Sequence, residues 1–188
     1  MSTITCFDWD DTLCPSSHLS KLGIGLGTNL SVKFEKLEKS IIKLLRIAIT
    51  RSQVFIITNS ETGWVRLSAR KFLPGVVSIL EECVIISARS SYEKLFPEEP
   101  IRWKYEAFKT LLTKDTECII SIGDSICERD AVRLVVKGSD AVVKTVKLAH
   151  TPSIEQLLRQ QELITGSYHY IHDHDDALDL MLTIKIIN

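Results

Sequence analysis

Short apolar runs rich in β-branched residues alternate along this chain with longer segments of helical period. The runs have the length and composition of strands buried on both faces of a sheet. Five of them qualify, over residues 4–8, 53–58, 83–87, 118–123 and 141–146. The clearest helical segment, 32–50, lies between the first two runs and has apolar residues at spacings of three and four. This alternation predicts an α/β fold built on a doubly wound, five-stranded parallel sheet.

Helical patterns also occupy the other intervals. Four further helices are predicted, over 63–73, 75–82, 101–113 and 153–164. The glycine-rich stretch 23–27 predicts a loop, and the tail over 166–188 is compatible with either an edge strand or a docking helix. Because no repeat or linker interrupts the pattern, we predict a single domain over 1–188, with a core over 3–150 and a C-terminal helix and tail over 151–188.

The composition is that of a globular protein with little net charge. Of its 188 residues, 45% are apolar and 25% are charged, and the formal net charge is -1. This charge gives no long-range attraction to nucleic acids or anionic membranes, so phosphate recognition has to come from a local site. Five cysteines without a CxxC pair predict reduced, mostly buried thiols. No leader-like segment or membrane-spanning run is found, which predicts a cytoplasmic or nuclear protein.

Acidic residues follow the first predicted strand. Asp8 and Asp10 are two residues apart, so both carboxylates would project to the same side if the chain stayed extended. Two like charges this close repel each other unless a cation lies between them. A hard divalent ion such as Mg²⁺ prefers oxygen ligands and takes one or two protein carboxylates together with water and substrate phosphate. The spacing therefore predicts a magnesium site.

A second acidic group follows the fourth predicted strand. Ligands of open α/β sheets bind at the carboxyl ends of the strands, which is where Asp124 lies. Asp124 and Glu128 are four residues apart and would share one face at the start of the next helix, whereas Asp130 would be rotated off that face. Asp124 and Glu128 are therefore favoured over Asp130 as metal ligands.

The order of these motifs resembles that of the haloacid dehalogenase superfamily. The first strand followed by Asp8-x-Asp10-x-Thr12-Leu13 resembles the nucleophile motif of that family. The strand that ends in Thr58 resembles its second motif, and Lys104 resembles its third-motif lysine. Asp124 with Glu128 resembles its acidic fourth motif, so that the resemblance covers residues 4–130.

The resemblance implies a Rossmann-like sheet of strand order 3-2-1-4-5 and a Mg²⁺-dependent phosphohydrolase. Asp8 would form an aspartyl-phosphate, and Asp10 would protonate the leaving oxygen and then activate water. The implied metal ligands are Asp8, Asp124 and Glu128, with Asp10 meeting the ion through its backbone carbonyl. Thr58, Asn59 and Lys104 would hold the phosphate. The second aspartate favours a phosphatase over a dehalogenase.

The resemblance also implies that a cap domain, where one exists, enters after the first motif or between the second and third. The interval 14–31 is predicted to be only a loop, and 59–101 is filled by short helices, a strand and an acidic loop. We therefore expect a capless protein with an open site, suited to phosphorylated proteins or other macromolecular or bulky phosphates, or a homo-oligomer whose neighbouring subunit serves as a lid. Trp9, Trp64 and Trp103 lie beside motif residues, as core residues or as a substrate platform.

Four alternatives stay open. A catalytically silent module of the same fold would bind phosphate and metal without turnover. A phosphoaspartate receiver domain also clusters acids, Thr and Lys, but it needs an Asp after the third strand, where 87–89 has none. Lys71 or Arg89 could replace Lys104. The His/Asp-rich segment 169–176 is compatible with a transition-metal site but is more typical of a solvated loop.

Overall fold

The computed structural model of the chain describes residues 2–27 and 34–183. Six parallel strands form one sheet, in the order β3-β2-β1-β4-β5-β6. The strands are β1 (Ser2–Phe7), β2 (Gln53–Thr58), β3 (Val84–Ser87), β4 (Thr116–Gly123), β5 (Val142–Lys147) and β6 (Leu178–Met181). The α/β class, the parallel sheet and the order of the five predicted strands are confirmed. The strand count of five is corrected, because the tail adds β6 at the edge of the sheet next to β5.

Eight α-helices are found within the described ranges. They are α1 (Ser16–Lys21), α2 (Glu35–Ile49), α3 (Trp64–Phe72), α4 (Val77–Leu80), α5 (Ala88–Tyr92), α6 (Pro100–Lys109), α7 (Ile126–Val135) and α8 (Ile154–Asp173). The predicted helix over 75–82 is divided into a 3-10 turn, Pro74–Val76, and α4. The interval expected to be only a loop contains α1, and α5 was not predicted. Residues 32–33 of the predicted helix over 32–50 lie outside the described residues.

Both faces of the sheet are covered by apolar side chains. In β2, Val54 and Ile56 pack into a cluster with the apolar faces of α2 and α8, whereas Phe55 and Ile57 pack into a second cluster with α6 and α7. Successive residues of a strand point to opposite faces, so an unbroken apolar run is what a strand between two helical layers requires. The predicted strands are therefore mostly apolar along their whole length because helices cover both faces of the sheet.

The C-terminal tail supplies both of the elements between which the sequence left a choice. Helix α8 starts with a capping box formed by Ser153 and Gln156 and continues to Asp173, well beyond the predicted end at 164. Strand β6 then pairs with β5, and its Asp179 binds Arg129 and Arg133 of α7 and accepts a hydrogen bond from Thr145. The tail is thus anchored to the sheet and to α7.

The cysteines are free, and four of the five are buried. Burial raises the pKa of the Cys6 thiol, which favours its uncharged form. Among the helices of the described ranges, none has the length and apolar character needed to cross a membrane.

The sheet order determines where a site can form. Because β1 lies between β2 and β4, the residues that follow these three strands meet at one edge of the sheet. The amide of Asp8 donates a hydrogen bond to the carbonyl of Ile122 at 2.9 Å, which extends the pairing of β1 with β4 by one residue. Asp8, Thr58 and Asp124 are therefore neighbours although they are remote in sequence.

Candidate functional site

Three buried carboxylates meet at this edge. One ligand oxygen from each of Asp8, Asp124 and Glu128 lies within 4.8 Å of those of the other two. Their side chains belong to the end of β1, the end of β4 and the first turn of α7, and each residue is at most 8% exposed. Among residues 2–27 and 34–183, no other set of three His, Cys, Asp or Glu side chains has this proximity. We refer to these three residues as the acid cluster.

A buried lysine lies against the acid cluster. Lys104 of α6 is fully buried, and its Nζ donates to Oδ1 of Asp8 at 2.7 Å and lies 3.0 Å from Oε1 of Glu128. The same ammonium donates to the carbonyl oxygen of Ile57 at the end of β2. Three partners account for the three donors of an ammonium group. Arg89, which the sequence offered as an alternative to Lys104, pairs instead with Glu93.

The protonation of the cluster follows from burial and charge. Burial raises the pKa of Asp8 well above its usual range, while Lys104 opposes and Glu128 reinforces this shift. Burial, then the charge of Glu128, raises the pKa of Asp124 to about 6. For Lys104, burial favours the neutral form, but Asp8 and Glu128 outweigh it and raise the lysine pKa above its ordinary value. Lys104 is therefore a permanent cation in a cluster where Asp8 and Asp124 tend to retain protons.

The acid cluster fits a divalent cation. Three carboxylates and one ammonium leave two unbalanced negative charges when all are ionised. All the available ligand atoms are oxygens, which hard ions such as Mg²⁺, Ca²⁺ and Mn²⁺ prefer. Asp8, Asp124 and Glu128 can therefore hold such an ion, which would replace the protons that the raised pKa values of Asp8 and Asp124 favour.

Glu128 reaches the cluster by a route that differs from the one the sequence predicted. Asp124 precedes α7, whose N-cap is Ser125, so Asp124 and Glu128 do not share a helical face. Instead, Glu128 folds back in a capping box, and its Oε2 accepts from the amide of Ser125 at 3.1 Å. It lies over Gly123, where a Cβ would come within 2.9 Å of its Cγ. Asp130 is exposed and outside the cluster, as expected.

Asp10 has different neighbours from Asp8. Its Oδ1 accepts from Nε1 of Trp64 at 2.9 Å, and its Oδ2 accepts from Oγ of Ser60 at 2.8 Å and from Oγ1 of Thr58 at 3.4 Å. The expectation that Asp8 and Asp10 project together assumed an extended chain, but β1 ends at Phe7 and the segment that follows is a turn. The Asp10 carboxylate is accordingly not part of the acid cluster. Contact of its backbone carbonyl with the metal stays a prediction.

A cavity of about 320 Å³ opens above the acid cluster; we refer to it as the first cavity. It is lined by Asp8, Asp10, Asp11, Thr58, Asn59, Ser60, Asp124, Ser125, Glu128 and His150. Asn59 donates to the carbonyl of Pro100 at 3.2 Å, and its buried Oδ1 has no hydrogen-bond partner in the structure. The predicted phosphate residues Thr58 and Asn59 thus face this cavity. Lys104 does not line it, so a direct contact of Lys104 with phosphate stays a prediction.

His150 is the residue of this site that sequence reasoning missed. Its Nδ1 lies 2.7 Å from Oδ2 of Asp124, and its side chain is 69% exposed. It follows β5, which ends at Lys147 and pairs with β4. Because His150 comes soon after the fifth predicted strand, the sequence could have placed it at the same edge of the sheet as Asp8 and Asp124.

Of the three tryptophans, Trp64 is the one whose indole donates to a candidate site residue, Asp10. Trp9 and Trp103 are buried in the core, where they donate to Ser68 Oγ and to the carbonyl of Phe96. The polar tail forms no metal site within the described residues. Its Asp173 instead pairs with His172 and Arg51.

Comparison of the chain with protein-family models, with characterised proteins and with solved structures gave no significant match. These comparisons therefore assign the chain to no family.

Proposed function

We propose that the protein is a Mg²⁺-dependent phosphohydrolase of the haloacid dehalogenase type that works through an aspartyl-phosphate on Asp8. The observation that carries the proposal is the position of Asp8 at the end of the central strand, where it pairs with the ammonium of Lys104 and has ligand oxygens of Asp124 and Glu128 within 4.8 Å. A carboxylate in such a place is oriented by the lysine and accessible from a polar cavity. The order of the four motifs supports the same assignment.

In the first half-reaction, an oxygen of Asp8 attacks phosphorus, and the bond from phosphorus to the leaving oxygen breaks. Asp10 gives its proton to that leaving oxygen. The hydrogen bonds from Trp64 and Ser60 fix the position of the Asp10 carboxyl group. Lys104 favours the ionised form of Asp8, against the effect of burial. Asp8, Asp124 and Glu128 would hold a Mg²⁺ ion, which would neutralise charge on the transferring phosphoryl group.

In the second half-reaction, Asp10 removes a proton from a water molecule, which attacks the phosphorus of the aspartyl-phosphate. The bond between phosphorus and Asp8 breaks, and phosphate leaves while Asp8 returns to a carboxylate. Asp10 thereby regains the proton that it gave to the leaving group. Because the Asp10 carboxylate is outside the acid cluster, its proton transfer does not involve the three carboxylates of that cluster.

The sheet order disfavours the receiver-domain alternative. Receiver-type sheets have the order 2-1-3-4-5, in which the first strand lies next to the third. Here β1 lies between β2 and β4, and β3 is at the edge of the sheet. The end of β3 is therefore remote from the acid cluster, where a receiver would need its phosphorylated Asp.

Turnover of a generic aryl phosphate tests the proposal. With Mg²⁺, the wild type is expected to release phosphate, and Asp8→Asn is expected to lose about 10³-fold or more in kcat. Asp130→Asn is the control, since this carboxylate is exposed and outside the acid cluster. Full activity of Asp8→Asn would reject the mechanism. Tight binding of a metal–fluoride phosphate mimic without turnover on a broad panel of phosphoesters would favour the silent binding module.

A further inference from the structure

A second cavity, of about 390 Å³, lies beside the first one. The two cavities share Asp10 and Ser60 among their lining residues. The other residues that line the second cavity are Ser16, Ser17, Leu19, Ser20, Ile24, Gly25, Leu26, Trp64 and Phe72. Asp10 and Ser60 therefore form the boundary between the first cavity, over the acid cluster, and the second cavity, next to α1 and α3. We refer to the two cavities as the first and the second compartment.

The two compartments differ in chemistry. The first is lined by five carboxylates and a histidine, whereas the second combines the hydroxyl groups of α1 with aliphatic and aromatic side chains. Asp10 is the only charged side chain among the described residues that line the second compartment. The indole of Trp64 is fixed by its hydrogen bond to Asp10, and Leu19 and Phe72 are buried. The compartment therefore offers rigid apolar contacts and neutral hydrogen-bonding groups.

The proposed function determines where the parts of a bound substrate lie relative to the two cavities, and the inference about the second cavity rests on that function. Phosphorus has to lie next to Asp8 for attack, and the leaving oxygen has to lie within hydrogen-bond reach of Asp10 to receive its proton. The rest of the leaving group then extends away from phosphorus, from an oxygen that lies next to Asp10. The second compartment begins there, because Asp10 is part of its lining.

We propose that the second compartment binds the leaving group of the substrate, and that this group is an uncharged alcohol with an apolar face, such as a substituted phenol. Trp64, Leu19 and Phe72 supply contacts for a ring or an alkyl group. Ser16 and Ser20 also line the compartment, and their hydroxyl groups would bond neutral substituents. An anionic leaving group would face Asp10 with no cationic side chain among the described lining residues, and burial of such an unpaired charge is unfavourable.

A pair of isosteric phosphonates tests this site without any need for turnover. The two ligands are 4-carbamoylbenzyl phosphonate and 4-carboxybenzyl phosphonate, which differ only in the charge of the distal group. In calorimetry with the Mg²⁺-loaded protein, the Kd of the carbamoyl ligand is expected to be lower than that of the carboxy ligand by about tenfold or more. Ser20→Lys places a cation at the exposed rim of the compartment and is expected to reduce or reverse this ratio.

Two further variants make the comparison specific. Leu26→Lys adds the same charge from the loop after α1 and is expected to act like Ser20→Lys. Ser139→Lys is the control, because residue 139 is exposed and precedes β5, at the amino ends of the strands and away from the acid cluster. Equal affinities for the two phosphonates, a preference for the carboxylate, or an unchanged ratio in both rim variants would overturn the inference. Binding of neither phosphonate would also overturn it.

The proposed function and this inference fail in different ways. Turnover that needs Asp8, together with equal affinity for the two phosphonates, would retain the phosphohydrolase and reject the leaving-group site. A selective phosphonate complex without any turnover would retain the second compartment as a binding site for neutral groups and reject the phosphohydrolase.

Discussion

The ammonium of Lys104 and the carboxylate of Asp8 form a buried ion pair of 2.7 Å, with the two side chains 1% and 10% exposed. The pair connects α6 to the end of β1 and places a fixed positive charge on one side of the acid cluster. A buried pair of this kind orients Asp8 and also makes the stability of the fold depend on Lys104. Both consequences can be measured separately.

Replacement of Lys104 is expected to destabilise the metal-free protein. Lys104→Met leaves Asp8 and Glu128 buried without their cation, at a cost of about 3–5 kcal/mol in the free energy of unfolding. Lys109→Met on the same helix is the control, because that side chain is exposed and is expected to change stability by less than about 0.5 kcal/mol. Urea unfolding in EDTA measures both. Equal stability of the two variants would contradict the ion-pair account.

The pH dependence of stability is expected to have an unusual sign in EDTA. The pKa of Asp124 is raised to about 6, above the ordinary value of about 4, so the folded state binds more protons than the unfolded state in this window. The free energy of unfolding then falls as pH rises from about 4 to about 6, by about 3 kcal/mol from this group. Asp8 adds a contribution of the same sign.

Urea unfolding at several pH values checks this slope. Asp124→Asn is expected to reduce it, and saturating Mg²⁺ is expected to restore stability above pH 6 because the ion replaces the lost protons. Stability that rises with pH throughout this range in EDTA would contradict the raised pKa values of the acid cluster.

Gly123 is expected to control the position of Glu128. In Gly123→Ala the new Cβ would lie 2.9 Å from Cγ and Oε2 of Glu128, so this side chain has to move away from the acid cluster. Metal affinity should fall about tenfold or more, a range seen when the support of a metal ligand is lost. Gly166→Ala is the control, since nothing lies within 4 Å of its new Cβ in α8. It should leave metal affinity unchanged and can stabilise the helix.

The hydrogen bond from Trp64 to Asp10 is expected to matter for the rate rather than for folding. Trp64→Phe keeps an aromatic ring but removes the donor to Oδ1 of Asp10, so kcat should fall about tenfold. Trp103→Phe is the matched variant, because Trp103 donates to the carbonyl of Phe96 in the core. It should lower stability while kcat per folded molecule is retained. Steady-state kinetics and thermal unfolding measure both effects. An unchanged kcat in Trp64→Phe together with a reduced kcat in Trp103→Phe would contradict the role of Trp64.

The sequence predicted the parts of the site that strand ends determine. Asp8 and Asp124 follow unbroken apolar runs, and the order of parallel strands brings such ends to one edge. The amphipathic α2 and α6 were predictable for a similar reason, since long periodic segments carry a strong signal. These features depend on burial patterns that extend over many residues.

Other parts depend on short-range geometry that a pattern does not encode. Asp10 leaves the acid cluster because the chain turns after Phe7, and Glu128 joins it through a capping box rather than a helical face. Helices α1 and α5 are too short for a period to be recognised. His150 contacts Asp124 from a loop whose path depends on tertiary packing.

The proposed chemistry depends on the binding of one divalent cation by Asp8, Asp124 and Glu128 together. Anomalous diffraction from crystals of the wild-type protein grown with Mn²⁺ tests it most directly, because the position of the ion is observed. We expect one strong peak within about 2.0–2.6 Å of an oxygen from each of the three carboxylates, and we expect its loss in Asp124→Asn. A peak elsewhere, or none at saturating Mn²⁺, would contradict this binding and the chemistry proposed for Asp8.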